Sequence, residues 1–137
     1  MKKVFVNGSF DVLHSGHLDM LEYASSLGNH LLVAIDTDTR IEYNKGEGRP
    51  FNPLSIRKRL MLSLKPVSNV AVFNTDQELI EIIRRFEPDI MVKGSDWKGK
   101  PIIGEEYCKK VIFYERTNGQ STTKTIQDFI DRRQLLR

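Results

Sequence analysis

Residues 8–17 read Gly8-Ser9-Phe10-Asp11-Val12-Leu13-His14-Ser15-Gly16-His17, directly after the apolar run Val4 to Asn7 and directly before a helical pattern. A strand that turns straight into a helix delivers unpaired main-chain N–H groups and partial positive charge to one spot, which is a ready anion site. His14 and His17 stand three residues apart, on one turn of that helix, so both rings can face the same anion. Gly16 between them allows an anion close to the backbone. A plain capped helix start with two incidental histidines is one alternative, and a zinc pair is another. Zinc needs further ligands, yet the remaining candidates are His30 and Cys108, far from ligand spacing, so no metal-ligand set is expected.

Outward from this stretch, short apolar runs alternate with helical patterns to the end of the chain. That alternation predicts an α/β fold: a Rossmann-like open parallel sheet of about five strands with helices on both faces. The expected strands are Val4 to Asn7, His30 to Asp36, Val70 to Phe73, Asp89 to Lys93 and Val111 to Tyr114. The first helix carries Leu18, Met20, Leu21, Ala24 and Leu27 and is expected to end on Gly28 as its cap. His30 is expected to be structural. Residues 37–52 read as a long polar loop, of the kind that is functional or disordered. A helix from about Leu54 to Leu64 should bury Ile56, Leu60, Met61 and Leu64. Thr75 and Glu78 form a capping-box signature ahead of the stripe Leu79, Ile82, Ile83 and Phe86. A short helix is expected around Gly104 to Lys109, and a last helix from Ser121 or Thr122.

The chain has 137 residues, 21 lysines and arginines against 18 acids, a net charge of +3 and a single cysteine. That length suits one domain, residues 1–137, with a real core. The modest basic excess does not point to nucleic acid, and one cysteine excludes an internal disulfide. No secretory signal or membrane-length apolar run is present, so a soluble cytoplasmic protein without membrane association is expected.

In such a sheet ligands bind beyond the carboxyl ends of the strands, and four glycine-containing polar loops gather there. They are Gly8 to His17, residues 37–52, Lys93 to Lys100, and Arg116-Thr117-Asn118-Gly119-Gln120-Ser121-Thr122-Thr123. Lys45 and Arg116 flank two of these loops on the binding edge. Ser121, Thr122 and Thr123 can cap a helix or hold phosphate; capping accounts for one hydroxyl, and the choice for the others stays open. Gly94 to Lys100 imitates a P-loop, but Pro101 stands where a hydroxyl residue is required. Gly46-Glu47-Gly48 is too short for a dinucleotide fingerprint.

The motifs at 8–17 and 116–123 together resemble the two hallmark motifs of the H-x-G-H nucleotidyltransferases, and among these the small cytidylyltransferases of the glycerol-3-phosphate type, over about residues 3–130. Asp96-Trp97-Lys98-Gly99-Lys100 is similar to a segment of those enzymes. The stretch Lys45-Gly46-Glu47-Gly48-Arg49-Pro50-Phe51-Asn52-Pro53-Leu54 with Arg57, and Val92-Lys93-Gly94-Ser95-Asp96, look instead like the adenylyltransferase domain that makes ADP-activated heptose from heptose 1-phosphate.

The resemblance implies in-line attack by an acceptor phosphate on the α-phosphorus of a nucleoside triphosphate, with Mg²⁺ and release of pyrophosphate. His14, His17, Lys45 and Arg116 would be catalytic. Gly8, Ser9, Phe10, Asp11, Gly16, Lys93, Asp96, Thr117, Gly119, Ser121, Thr122 and Thr123 would contact the nucleotide, and Asp36, Arg49 and Arg57 the acceptor. Lys45 is expected to act from a mobile loop, and Asp11 and Asp96 can alternatively be turn-forming aspartates. CTP is the expected nucleotide and a phosphorylated polyol such as glycerol 3-phosphate the expected acceptor. The alternative is ATP with heptose 1-phosphate or a similar sugar phosphate. A homodimer is implied as well. A regulatory module that binds nucleotide without turnover is the reading from another class; the intact histidine pair, Lys45 and Arg116 argue against it. A fragment of an aminoacyl-tRNA synthetase would share the H-x-G-H turn but also needs a lysine-rich second motif, which is absent.

Overall fold

A computed structural model of the chain describes residues 1–115 together with residues 122–135 of the last helix. Its elements are β1 (Lys3–Gly8), α1 (Ser15–Ser26), β2 (His30–Asp36), α2 (Asp38–Lys45), α3 (Leu54–Ser63), β3 (Asn69–Phe73), α4 (Asp76–Phe86), β4 (Ile90–Gly94), β5 (Lys110–Tyr114) and α5 (Thr122–Leu135). The five strands form one sheet in the order β3-β2-β1-β4-β5, with every pairing parallel. From β1 the chain winds outward through β2 to β3, then crosses back to lay β4 on the other side of β1.

Strand side chains alternate between two cores, as a sheet covered on both faces requires. Val4, Val6, Leu31, Val33, Ile35, Ile90 and Val92 join Leu21 and Ala24 of α1 and Met61 of α3 on one face. Phe5, Leu32, Ala34 and Met91 join Leu79 and Ile83 of α4 on the other. His30 is structural, its ring tilted 5.8 Å from that of Phe86.

Four local expectations are corrected. Residues 37–52 are not one loop, because α2 occupies their first half, capped by Thr37, whose hydroxyl accepts from the Arg40 N–H at 3.2 Å. Ile41 is the one buried residue of α2, so the helix has no apolar stripe to announce it. On α3 the buried residues are Arg57 and Met61, while Ile56 and Leu60 are exposed. Leu27 rather than Gly28 closes α1; Gly28 lacks a side chain because a Cβ there would lie 2.5 Å from the Lys2 carbonyl oxygen. The expected helix near residues 104–109 is a single 3₁₀ turn, Glu105–Tyr107.

Before α4 the Thr75 hydroxyl accepts from the Glu78 N–H at 3.1 Å. The Glu78 carboxylate in turn accepts from the Asn74 N–H, one residue ahead of the cap, also at 3.1 Å. No helix among the described residues is long and apolar enough to cross a membrane.

Candidate active site

A cleft of about 520 Å³ opens at the carboxyl ends of β1, β2, β3 and β4, its wall including Gly8, Asp36, Phe73 and Gly94. It lies where the strand order reverses between β1 and β4, the crevice at which open parallel sheets bind ligands. Arg40, Lys45, Arg49 and Lys93 also line it, against one carboxylate among the described lining residues, that of Asp36. Such an excess of positive charge suits a polyanion.

The floor is set by the turn after β1. His14 caps α1, with its ring Nδ1 accepting the Gly16 N–H at 3.1 Å, and His17 Nδ1 accepts the His14 N–H at 3.3 Å. The two rings stack with centroids 3.9 Å apart. A nitrogen that accepts an N–H carries no proton, so each neutral ring holds its proton on Nε2. The cap therefore fixes both histidines as Nε2–H donors. It also occupies the Gly16 N–H, while His17 N–H bonds the His14 carbonyl at 3.1 Å, so these two helix-terminal donors are not free as the sequence suggests.

Phe10 packs 5.3 Å from His17, centroid to centroid, and is buried with a positive φ of 48°. That backbone region is strained for a bulky residue by about 1–3 kcal/mol, which the surrounding contacts must offset. Gly8 makes room for it, since a Cβ at Gly8 would stand 3.0 Å from the Phe10 ring.

Asp11 and Arg57, expected to contact ligand, are buried and bonded within the fold. The buried Asp11 carboxylate accepts from the Phe51 and Asn52 N–H groups, each at 2.7 Å, and from Arg49 Nε at 3.4 Å. The Asn52 side-chain amide donates back to the Asp11 carbonyl. Arg57 is fully buried; it donates to the carbonyls of Asn52 at 2.9 Å, Ser9 at 3.2 Å and Asp36 at 2.8 Å, and to the Asp38 carboxylate at 2.6 Å. Together they stitch residues 49–57 to the turn after β1 and to the end of β2. Ser9 lines the cleft, Gly16 lies in the first turn of α1, and Arg49 both lines the cleft and pairs with Asp11.

Lys45 is the last residue of α2, not part of a loop, and Gly46 ends the helix with a φ of 96°. Asp36 is gripped by Arg40 at 3.3 Å. Burial pushes its carboxyl above the usual range, against the opposing pull of Arg40, Lys45 and Arg57. Burial also holds the Lys93 ammonium below the ordinary lysine range, with Asp36 and Asp96 partly countering it. Lys93 Nζ lies 4.7 Å from the centre of the ring of Trp97, which also lines the cleft. Asp96 sits in the 3₁₀ turn Ser95–Trp97 and does not line the cleft. A 3₁₀ turn, Ser95–Trp97, and not an α-helix directly follows Gly94.

Arg116, Thr117, Gly119 and Ser121 lie outside the described residues. Thr122 and Thr123 begin α5, with their side chains outside the description. Arg40, Asn44 and Trp97 line the cleft without having been singled out as site residues from sequence. The signal for Arg40 was its place four residues after Asp36, readable only once α2 is recognised. Among the described residues no group of three or more His, Cys, Asp or Glu side chains is placed to hold a metal ion.

Fold and cleft define a phosphate-handling α/β domain, and residues 5–128 match the family described as Cytidylyltransferase-like. The chain belongs to this family and is a nucleotidyltransferase domain. It is 41% identical over 126 residues to the bifunctional protein HldE of a Nitratiruptor species, covering 90% of this chain and 27% of the relative. HldE of Sulfurimonas denitrificans is also 41% identical, over 92% of this chain and 26% of the relative. The chain thus spans about a quarter of the length of these relatives. Among solved structures, the lipopolysaccharide core biosynthesis protein of Thermoplasma volcanium shares the fold, with a TM-score of 0.68 at 23% identity over 88% of this chain and 99% of that one.

Proposed function

We propose that this domain transfers the adenylyl group of ATP to a sugar 1-phosphate of the heptose 1-phosphate class, releasing pyrophosphate. One observation carries the choice of substrate. The segment that resembles the heptose 1-phosphate adenylyltransferase domain, Lys45 to Leu54 with Arg57, sets Lys45 and Arg49 in the cleft lining and is tied to the histidine turn through Asp11 and Arg57. The similarity to the two HldE proteins supports the same substrates, in preference to the CTP and glycerol 3-phosphate expected from the motifs alone.

An oxygen of the acceptor's phosphate attacks the α-phosphorus in line. A P–O bond to that oxygen forms as the bond from the α-phosphorus to the bridging oxygen breaks, and pyrophosphate departs with the electron pair. The nucleophile is already anionic, so no base is required. The protein's contribution is position and charge. The Nε2–H groups of His14 and His17 donate to phosphate oxygens as charge builds, and Lys45, Arg49 and Lys93 neutralise the two phosphate groups brought together. Arg116 acts on the triphosphate. Mg²⁺ enters as the counter-ion of ATP, part of the substrate, held chiefly by the substrate phosphates and water.

Pyrophosphate release tests this with ATP, CTP, UTP and GTP, each against heptose 1-phosphate, glycerol 3-phosphate and other phosphorylated polyols. ATP with heptose 1-phosphate should give the highest kcat/KM. Fastest turnover with CTP and glycerol 3-phosphate would overturn the proposal.

A further inference from the structure

We infer that Asp36 selects the acceptor, its carboxylate accepting hydrogen bonds from sugar hydroxyls and so favouring a hydroxyl-rich phosphate over a bare one. This rests on the reading of the chain as a sugar-phosphate nucleotidyltransferase. Asp36 is anomalous where it stands. Among the described residues four cationic side chains line the cleft, and a negative group among them opposes the binding of every phosphate that enters.

A stabilising role does not account for it. Burial disfavours its ionised form even with three cations nearby. Arg40, its nearest partner, has a second and closer carboxylate at 2.6 Å in Asp76, a bond to the Asn74 carbonyl at 3.3 Å, and the Phe73 ring 5.1 Å away. The same contacts hold Arg40, and through it Asp36, in a fixed place at the end of β2. Asp36 also pairs in register with Phe73, and its carbonyl is held by Arg57. The group is thus preorganised as well as unfavourable.

A carboxylate only accepts hydrogen bonds, and an ionised phosphate has none to give, whereas each hydroxyl of a sugar is a donor. The wall also indicates which substrate it meets. Asp36 ends β2 and is followed by α2 with Arg40 and Lys45, while Trp97, the ring able to stack on a base, follows β4, on the opposite side of β1 in the sheet.

The test compares Asp36→Asn with the parent protein. Calorimetry reads binding of heptose 1-phosphate, of methyl phosphate, which has no hydroxyl, and of ATP with Mg²⁺; steady-state rates give the acceptor KM. The substitution should weaken heptose 1-phosphate about tenfold or more in both Kd and KM, by removal of a charged acceptor. Binding of methyl phosphate and ATP should be unchanged or tighter, and the Tm at pH 7 unchanged or higher. Equal weakening of both acceptors, unchanged heptose 1-phosphate binding, or a weakened ATP complex with a raised Mg²⁺ requirement would each overturn it. Should the parent bind heptose 1-phosphate without turnover, the reaction proposal fails, while the binding comparison still decides the role of Asp36.

Discussion

His14 and His17 lie with their rings stacked 3.9 Å apart, and both give Nδ1 to the main chain. One pair of residues therefore caps the helix and holds two Nε2–H groups, with His17 in the cleft lining and the His14 Nε2 buried. Replacing either by alanine should lower turnover by about a hundredfold or more, as for other preorganised donors to developing charge. His14→Ala should also cost about 1 kcal/mol of stability as a lost cap. His14→Asn separates the two roles, because an asparagine oxygen can accept the Gly16 N–H. Its Tm should stay near that of the parent while turnover remains low. A folded His14→Asn protein with near-normal kcat would contradict the donor role.

Arg57 should be the most stability-critical cation of the chain. Its removal leaves the carbonyls of Ser9, Asp36 and Asn52 without their donor and unties α3 from the cleft. Breaking a buried charged network costs roughly 3–5 kcal/mol, a large part of a domain's stability. Arg57→Ala should show this in the urea midpoint, and Arg57→Lys should recover little, since an ammonium cannot span four acceptors in a plane. An Arg57→Ala protein of parental stability that had lost only acceptor affinity would restore Arg57 to the binding role expected from sequence.

Much of the fold was legible because apolar periodicity is a direct record of burial. Val4, Phe5 and Val6, and the run from Leu31 to Ile35, are strands because alternate side chains fill alternate cores. What escaped was held by polar contacts, which leave no period. α2 buries only Ile41 and starts on the Thr37 cap, and α3 turns an arginine inward. The gathering of His17, Lys45, Arg49 and Lys93 at one edge of the sheet was readable from the strand-ending loops. The internal bonds of Asp11 and Arg57 were not, since a charged residue beside a glycine loop reads the same whether it meets ligand or backbone.

Acid should act on Glu81. Hydrogen bonds from Arg84 and Arg85, at 2.7 Å each, hold its carboxyl down at about 2 from 4.5. A depressed carboxyl adds stability that is full above its unfolded pKa and lost as pH falls through the folded one. The Tm should therefore decline between pH 4.5 and about 2, and Glu81→Gln should flatten part of that decline. The difference should shrink in high salt because the group is exposed. An identical pH profile for both proteins would contradict the pairing.

Cys108 should be inert at neutral pH. Burial, helped by Glu106 and Glu105, pushes its thiol up to about 11. The thiolate is then about one part in ten thousand at pH 7, and only the thiolate attacks. Alkylation by iodoacetamide should be slow at pH 7 and accelerate about tenfold per pH unit above it. Rapid labelling at pH 7 would show the thiol to be activated instead.

Transfer of an adenylyl group to a sugar 1-phosphate in the cleft between β1 and β4 can be followed directly with α-³²P-labelled nucleotide. With labelled ATP and heptose 1-phosphate, label should move into an ADP-sugar with one pyrophosphate released per product. It should fail to move in a folded His17→Ala protein. Label appearing only from CTP with glycerol 3-phosphate, or moving at parental rate in His17→Ala, would rule out adenylyl transfer by this cleft.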